Sequence, residues 1–326
     1  MSFNIITLYN KYRSSYLSAT IDIVKHTLSL YACFYYFNNS IIIIPLLSLL
    51  LHRTFVNFHD CVHNSYFPNN NLNYIIASVY GILTHTSTNW ILDHHTHHLT
   101  NGNKENKYKF KFNELVYYNV SQYKQFNPSQ KLLAKIFYNP IVFFTFFPFL
   151  YFFILQRFMY LWKKIKYGDK INNSLTMITI NHLINNIGII VLYWCLYKYN
   201  ILPQYIVSVY LSFIINFVLF FNQHTFNPPY VVGNEKWNIK DSGLKGSSHI
   251  LIPSYLKYFT CGIEYHHIHH MNSRIPGYNM KDFHEEVKNN SNMFDNITIL
   301  SMNDCYNNLW LMLYDDMTNM YVRCLD

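Results

Sequence analysis

Three histidine clusters have the residue type and spacing that chemistry requires. The first is His59-Asp60-Cys61-Val62-His63, which pairs His59 with His63. The second, His94-His95-Thr96-His97-His98, offers His94, His97 and His98 in HxxHH spacing. The third, His266-His267-Ile268-His269-His270, repeats that spacing with His266, His269 and His270. Residues three or four apart share one face of a helix, so each cluster can turn two or three imidazoles into one cavity. Neutral imidazole suits iron, copper, zinc or nickel. A lone candidate, His224, follows a long apolar stretch in Asn222-Gln223-His224-Thr225. Zinc usually takes four ligands, so this many imidazoles fit a pair of ions more economically. Soluble bundles that hold two irons use Glu and Glu-x-x-His for the task. No comparable Glu pattern occurs here, so imidazoles would replace carboxylates.

The remaining histidines read differently. His95 and His267 lie between ligand positions and should point elsewhere. His26, His52, His85, His182, His249 and His284 lack ligand spacing, which favours ordinary structural roles. Asp60 and Asp93 adjoin candidate ligands. A carboxylate there can accept the second N–H of an imidazole and fix its tautomer; the alternative is a solvated charge at a helix end.

The elements that position these clusters are apolar. Hydrophobic residues make up 51% of the 326 and charged residues only 13%, against about 25% charged in soluble domains. The formal net charge is +8, but the cations do not form the aromatic-bearing basic stripe of a nucleic-acid binder. Lys163, Lys164, Lys166 and Lys170 instead flank apolar segments, as positive charge beside a membrane does. None of the six cysteines forms a CxxC pair, which disfavours a zinc-thiolate site or a disulfide framework. The first residues, MSFNIITLYNKYRSS, lack the pattern of a removable signal peptide.

Membrane hairpins are expected at about 22–57, turning at Asn38-Asn39-Ser40, and at about 175–221. Clusters that share a metal site must lie on one side of the bilayer, so an even number of crossings separates them. Residues 140–155 should therefore stay re-entrant or interfacial. Pro148 interrupts that segment, and crossing there would put the following lysines outside, against the positive-inside tendency. Four crossings result, with a cytosolic cap formed by about 58–174 and 222–326.

The residues around the clusters resemble those of membrane fatty acid desaturases, particularly the omega-6 (delta-12) acyl-lipid group of bacterial type. The resemblance runs from about Arg53 to Val322. It includes HDCVHNSYF at 59–67, Trp90 followed by HHTHHLTNG at 94–102, YNPIVFF at 138–144 and LQRF at 155–158. Its most specific parts are QHTF at 223–226, LKGSSHILIP at 244–253 and EYHHIHHMNSRIPGYNM at 264–280. The resemblance implies a single desaturase domain over 1–326, an all-α integral membrane protein. Four transmembrane helices would carry a cytosolic helical cap holding a di-iron site. It assigns His59, His63, His94, His97, His98, His224, His266, His269 and His270 as iron ligands. Asn64 departs from the group's usual glycine, and Cys261-Gly262-Ile263-Glu264 from its usual Gly-Asn-Ile-Gly. Glu264 is open as an extra ligand, an acceptor behind a ligand, or a local substitution.

The implied reaction uses two Fe2+ ions, O2 and two electrons to convert adjacent methylenes of an acyl-lipid or acyl-CoA into a double bond. No haem-attachment motif, dinucleotide fingerprint or iron–sulfur cysteine cluster occurs in the sequence. Electrons would come from a partner such as ferredoxin or cytochrome b5. Two rival readings remain: a hydroxylase or ketolase acting on a lipid or carotenoid, and a membrane metal- or lipid-binding protein without turnover.

Overall fold

The computed structural model describes residues 4–37, 40–105, 118–168 and 174–324. The chain begins with α1 (Ile5–Lys11), α2 (Tyr16–Phe37), α3 (Ile43–Val62), α4 (Asn70–Leu83) and α5 (Ile91–Thr100). Next come α6 (Val120–Lys124), α7 (Pro128–Phe137), α8 (Pro140–Phe149) and α9 (Met159–Tyr167). Two long helices follow, α10 (Leu175–Lys198) and α11 (Leu202–His224). The rest of the chain adds α12 (Ile239–Lys245), α13 (Lys257–Thr260), α14 (His266–Met271), α15 (Gly277–Asn290) and α16 (Met302–Asn308).

Five short strands accompany them: β1 (Tyr118–Asn119), β2 (Ser248–Ile250), β3 (Thr298–Leu300), β4 (Leu311–Asp315) and β5 (Met320–Arg323). β4 joins β1 in parallel and β5 antiparallel, while β2 and β3 pair in parallel. The fold is thus mostly helical rather than all-α. These strands are too short to display a period of two in the sequence.

The helix ends follow local chemistry. Ser174 caps α10 by accepting from the Met177 N–H, and Asn139 caps α8, whose first residue is Pro140. α3 and α11 run parallel. The Ser208 hydroxyl donates to the Ile44 carbonyl at 3.2 Å, and His52 meets Asn216 at 2.5 Å; both pairs are 164 residues apart. The same offset carries Asp60 onto His224, so both helices deliver their histidine ends to one level.

α2 packs on α3 through a buried Asp22–Arg53 ion pair, to which the Tyr66 hydroxyl adds a 2.7 Å hydrogen bond. The outward side of α2 shows Leu17, Ile21, Val24, Leu28 and Tyr31, and that of α10 shows Leu183, Ile187, Ile190 and Trp194. Apolar faces of this extent mark a surface meant to be covered.

Among the described residues, three helical segments are long and apolar enough to cross a membrane: Pro140–Arg157, Leu175–Lys198 and Leu202–His224. This differs from the expected set. α2 and α3 have comparable length, but Asp22, Lys25, Arg53 and the histidines dilute their apolar character. The 140–157 segment is longer than expected because a π-helical turn (Leu150–Ile154) and a 3-10 turn (Leu155–Arg157) extend α8.

Its path is bent. Phe144 meets Phe221 near the histidine end of α11 with ring centroids 5.0 Å apart, and Phe149 reaches Tyr210 at 6.2 Å, three turns lower. Phe152 then stacks on Phe213 at 4.2 Å. The chain returns to place Lys163 on Asp93 at 2.6 Å, beside His94. Pro148 cannot donate its helix hydrogen bond, and the π-turn after it is a recognised site of bending. Lys163 is consequently a buried ion-pair partner, not the membrane-flanking surface cation expected. Asn38, Asn39 and Lys170 lie outside the described residues.

Candidate metal centre

Four helices bring the nine candidate histidines together in two groups. His59 and His63 from α3 and its C-terminal end, His94 and His98 from α5, and His269 from α14 form one. His97 from α5, His224 from the end of α11, and His266 and His270 from α14 form the other. α5 and α14 feed both groups, because residues in HxxHH spacing divide between two adjacent directions of a helix.

Within each group the Nε2 atoms converge. In the first, His94 lies 2.9 Å from His59 and 3.1 Å from His98, and His98 lies 2.8 Å from His269. In the second, His224 lies 3.0 Å from His97 and 2.9 Å from His266, while His270 lies 3.1 Å from His266 and 3.2 Å from His97. Imidazole nitrogens bound at the roughly 2.0–2.1 Å typical of zinc would sit roughly 3.0–3.4 Å apart. The spacing therefore suits ligands converging on a single ion in each group.

Protonation suits the same purpose. Burial, followed by the neighbouring imidazoles, pushes the pKa values of His63, His94, His98, His266, His269 and His270 well below the ordinary histidine range. Neutral rings with free lone pairs are the form that binds metal. The shielded Nε2 of His63 has no hydrogen-bond partner among the described residues, an orphaned nitrogen of the kind that an ion satisfies. The donor set thus fits a pair of first-row transition ions.

Two ligand candidates are oriented from behind. Asp60 Oδ1 lies 3.3 Å from His59 Nδ1, and Asp60 Oδ2 accepts the Gly277 N–H at 2.6 Å. His224 Nδ1 lies 2.9 Å from the Gly246 carbonyl. Both contacts favour an Nδ1–H tautomer that leaves Nε2 for metal. Gly277, which Asp60 holds, also packs against the residues leading into the third cluster. Cys261 and Gly262 adopt left-handed conformations, with φ of 49° and 83°. A side chain on Gly262 would come within 2.1 Å of the Gly277 carbonyl, so glycine permits this junction.

The other expected neighbours behave differently. Asp93 does not hold an imidazole; Lys163 and Tyr160 bind it instead. Burial raises its pKa, and the Lys163 charge opposes that rise. Glu264 joins neither histidine group. Burial raises its pKa too, and Oε2 lacks a partner among the described residues. His267 turns away from the ligands to meet His284 at 3.3 Å, and His95 is exposed.

A cavity of about 250 Å³ adjoins the centre. Its wall includes His59 and His94 of one group and His97 and His266 of the other. Phe55, Val56, Trp90, Phe152, Phe217, Leu219 and Phe220 make most of the remaining wall apolar. Trp90 also stacks on His94 with centroids 4.2 Å apart. The sequence pattern did not mark His52 or Asn216 as cavity residues, though both line it. The available signal was position: His52 lies seven residues before His59, on the same face of α3.

Long apolar helices beneath paired imidazole groups define a class, a helical membrane protein with histidine-rich groups able to hold metal. The fatty acid desaturase family model matches residues 39–296. The chain is 28% identical over 273 residues to a fatty acid desaturase of Bacillus subtilis (strain 168), covering 83% of this chain and 74% of that protein. It is 32% identical over 63 residues to a chloroplastic omega-6 fatty acid desaturase of Arabidopsis thaliana, covering 19% of this chain and 14% of that protein. The chain belongs to the fatty acid desaturase family.

Proposed function

We propose that this protein is an O2-dependent acyl-lipid desaturase of omega-6 (delta-12) type, with iron held by the nine histidines. The observation that carries the reading is the apolar cavity whose wall includes ligand candidates from both histidine groups. A methylene chain lying there faces both groups at once. The similarity to a plant omega-6 fatty acid desaturase supports the omega-6 assignment.

In the balanced reaction, one C–H bond breaks on each of two adjacent carbons and a C=C bond forms. The two hydrogens removed from the substrate, two electrons from a donor and two further protons reduce O2 to two waters. Iron, when bound, supplies the redox chemistry. The chain's own residues bind, orient and exclude water. Asp60 and the Gly246 carbonyl hold His59 and His224 in the metal-binding tautomer. Trp90, Phe55, Phe217 and Phe220 exclude water beside the ligands and confine the acyl chain. Fixing one pair of methylenes among many similar ones is a matter of position.

In this reading four crossings through 22–57 and 175–221 leave the whole cap on one face of the bilayer, the cytosolic one. The parallel course of α3 and α11, and the return of 140–157 from Tyr210 to Asp93, support this arrangement with that segment re-entrant. The Asp22–Arg53 pair neutralises the charges inside the first hairpin. The substrate is an acyl-lipid or acyl-CoA, and ferredoxin or cytochrome b5 is the electron donor.

Proteoliposomes with iron-loaded protein, a reduced donor and a deuterated acyl phospholipid test the reading. The expected product has lost one hydrogen from each of two adjacent carbons, and only when O2 is present. A hydroxylated product instead establishes the rival oxidase reading. Absence of any O2-dependent product sinks both.

A further inference from the structure

At the end of the cavity farthest from the histidine groups, a polar pair joins the wall beside Phe152, which stacks on Phe213 below it. The α3 residues lining it are His52, Phe55, Val56 and His59, and the α11 residues begin at Asn216. His52 and Asn216 therefore lie deepest on their helices, and a 2.5 Å hydrogen bond joins them. At 1.5 Å rise per residue, His52 sits roughly 10 Å below His59 and Asn216 roughly 12 Å below His224. Two lining helices thus reach the same depth and are bridged there.

The bridge leaves polar atoms unsatisfied. His52 Nε2 and Asn216 Nδ2 are buried and have no partner among the described residues. With Nδ1 donating to the amide oxygen, Nε2 carries a lone pair while Nδ2 retains its donors. A hydrocarbon chain pushed between the two residues would break their hydrogen bond and leave two more buried polar atoms unpartnered, which is unfavourable. The headgroup or carrier of an acyl substrate is polar and cannot enter an apolar cavity that leads into the bundle. The methyl end is the part that enters.

We propose that the His52–Asn216 pair is the specificity-determining floor of the acyl cavity. Resting on the desaturase reading, it fixes how far the methyl end passes the histidine groups, and so which methylenes face them. Both are positioning residues that act through the depth of the chain.

The test uses the full chain expressed in host membranes, with iron content measured beside the fatty acid products. His52→Ala and Asn216→Ala deepen the cavity. They should move the new double bond farther from the methyl end, or favour longer chains, changing product ratios by roughly tenfold, as one methylene does in an apolar pocket. Asn216→Phe fills the floor and should shift the products in the opposite direction. Unchanged product ratios in iron-loaded variants would overturn the proposal. Loss of iron in all three variants would overturn it too, because the pair would then support the metal centre and not the acyl chain. If the unaltered protein makes no desaturated product, the desaturase reading itself fails, an outcome distinct from either.

Discussion

His94 and His97 are three residues apart on one helix, stack with ring centroids 5.6 Å apart, and belong to different histidine groups. The HxxHH spacing thus works as a divider. In α5 it sends His94 and His98 one way and His97 the other. In α14 the division is reversed in number, with His269 alone and His266 paired with His270. The two groups interlock through both helices, which holds them at a fixed separation.

That division predicts separable ions. His97→Ala and His94→Ala should each lower iron from about two to roughly one per chain, since each removes a ligand from one group only. Metal analysis of purified protein checks this. Loss of both ions from either single variant would mean that the groups act as one site.

Asp60 links the first cluster to α15 by meeting both His59 and Gly277. Asp60→Asn removes the carboxylate acceptor while keeping its size. Metal affinity should fall roughly 10–100-fold, the usual cost of losing such a partner. Competition with an iron chelator measures the change, and affinity equal to that of the unaltered protein would refute the role.

Lys163 and Asp93 are buried together, with side chains 5% and 13% exposed. Lys163→Met strands a buried carboxylate, and breaking such a pair costs about 3–5 kcal/mol. The double variant Lys163→Met with Asp93→Asn should recover most of that loss. Denaturation in detergent is the measurement; equal stability of the two variants would show that the pair contributes little.

His249 supplies a pH dependence away from the ligands. Burial, with His284, Lys257 and Lys288 nearby, lowers its pKa from 6.5 to about 4. Between those values the unfolded chain binds the proton and the folded chain does not, so stability rises with pH. The contribution is complete above about pH 6.5 and is lost as pH falls towards about 4. His249→Gln should flatten the stability profile across that window. An unchanged slope would assign the acid sensitivity to other groups.

The histidine clusters were legible because helical spacing is written directly into the chain. His94, His97 and His98 need only α5 to form for their directions to be set. Pro148 marked the break in the 140–157 segment, but its return path depends on Phe213 and Tyr210, which belong to α11. Lys163 was misread because its partner Asp93 is 70 residues away and local sequence gave it the look of a membrane-flanking cation. His52 looked structural for the same reason: Asn216, the residue that gives it meaning, lies on another helix. The strands escaped notice because pairs such as Ser248 with Thr298 are joined by tertiary packing rather than by pattern.

In the proposed function the paired histidine groups act on a chain in the adjoining cavity. Fatty acid analysis of yeast expressing the protein tests it most directly, with His97→Ala and His269→Ala, one from each group, alongside. New dienoic acids are expected from the unaltered protein and none from either variant. Hydroxylated products, or dienoic acids that persist in both variants, would contradict it.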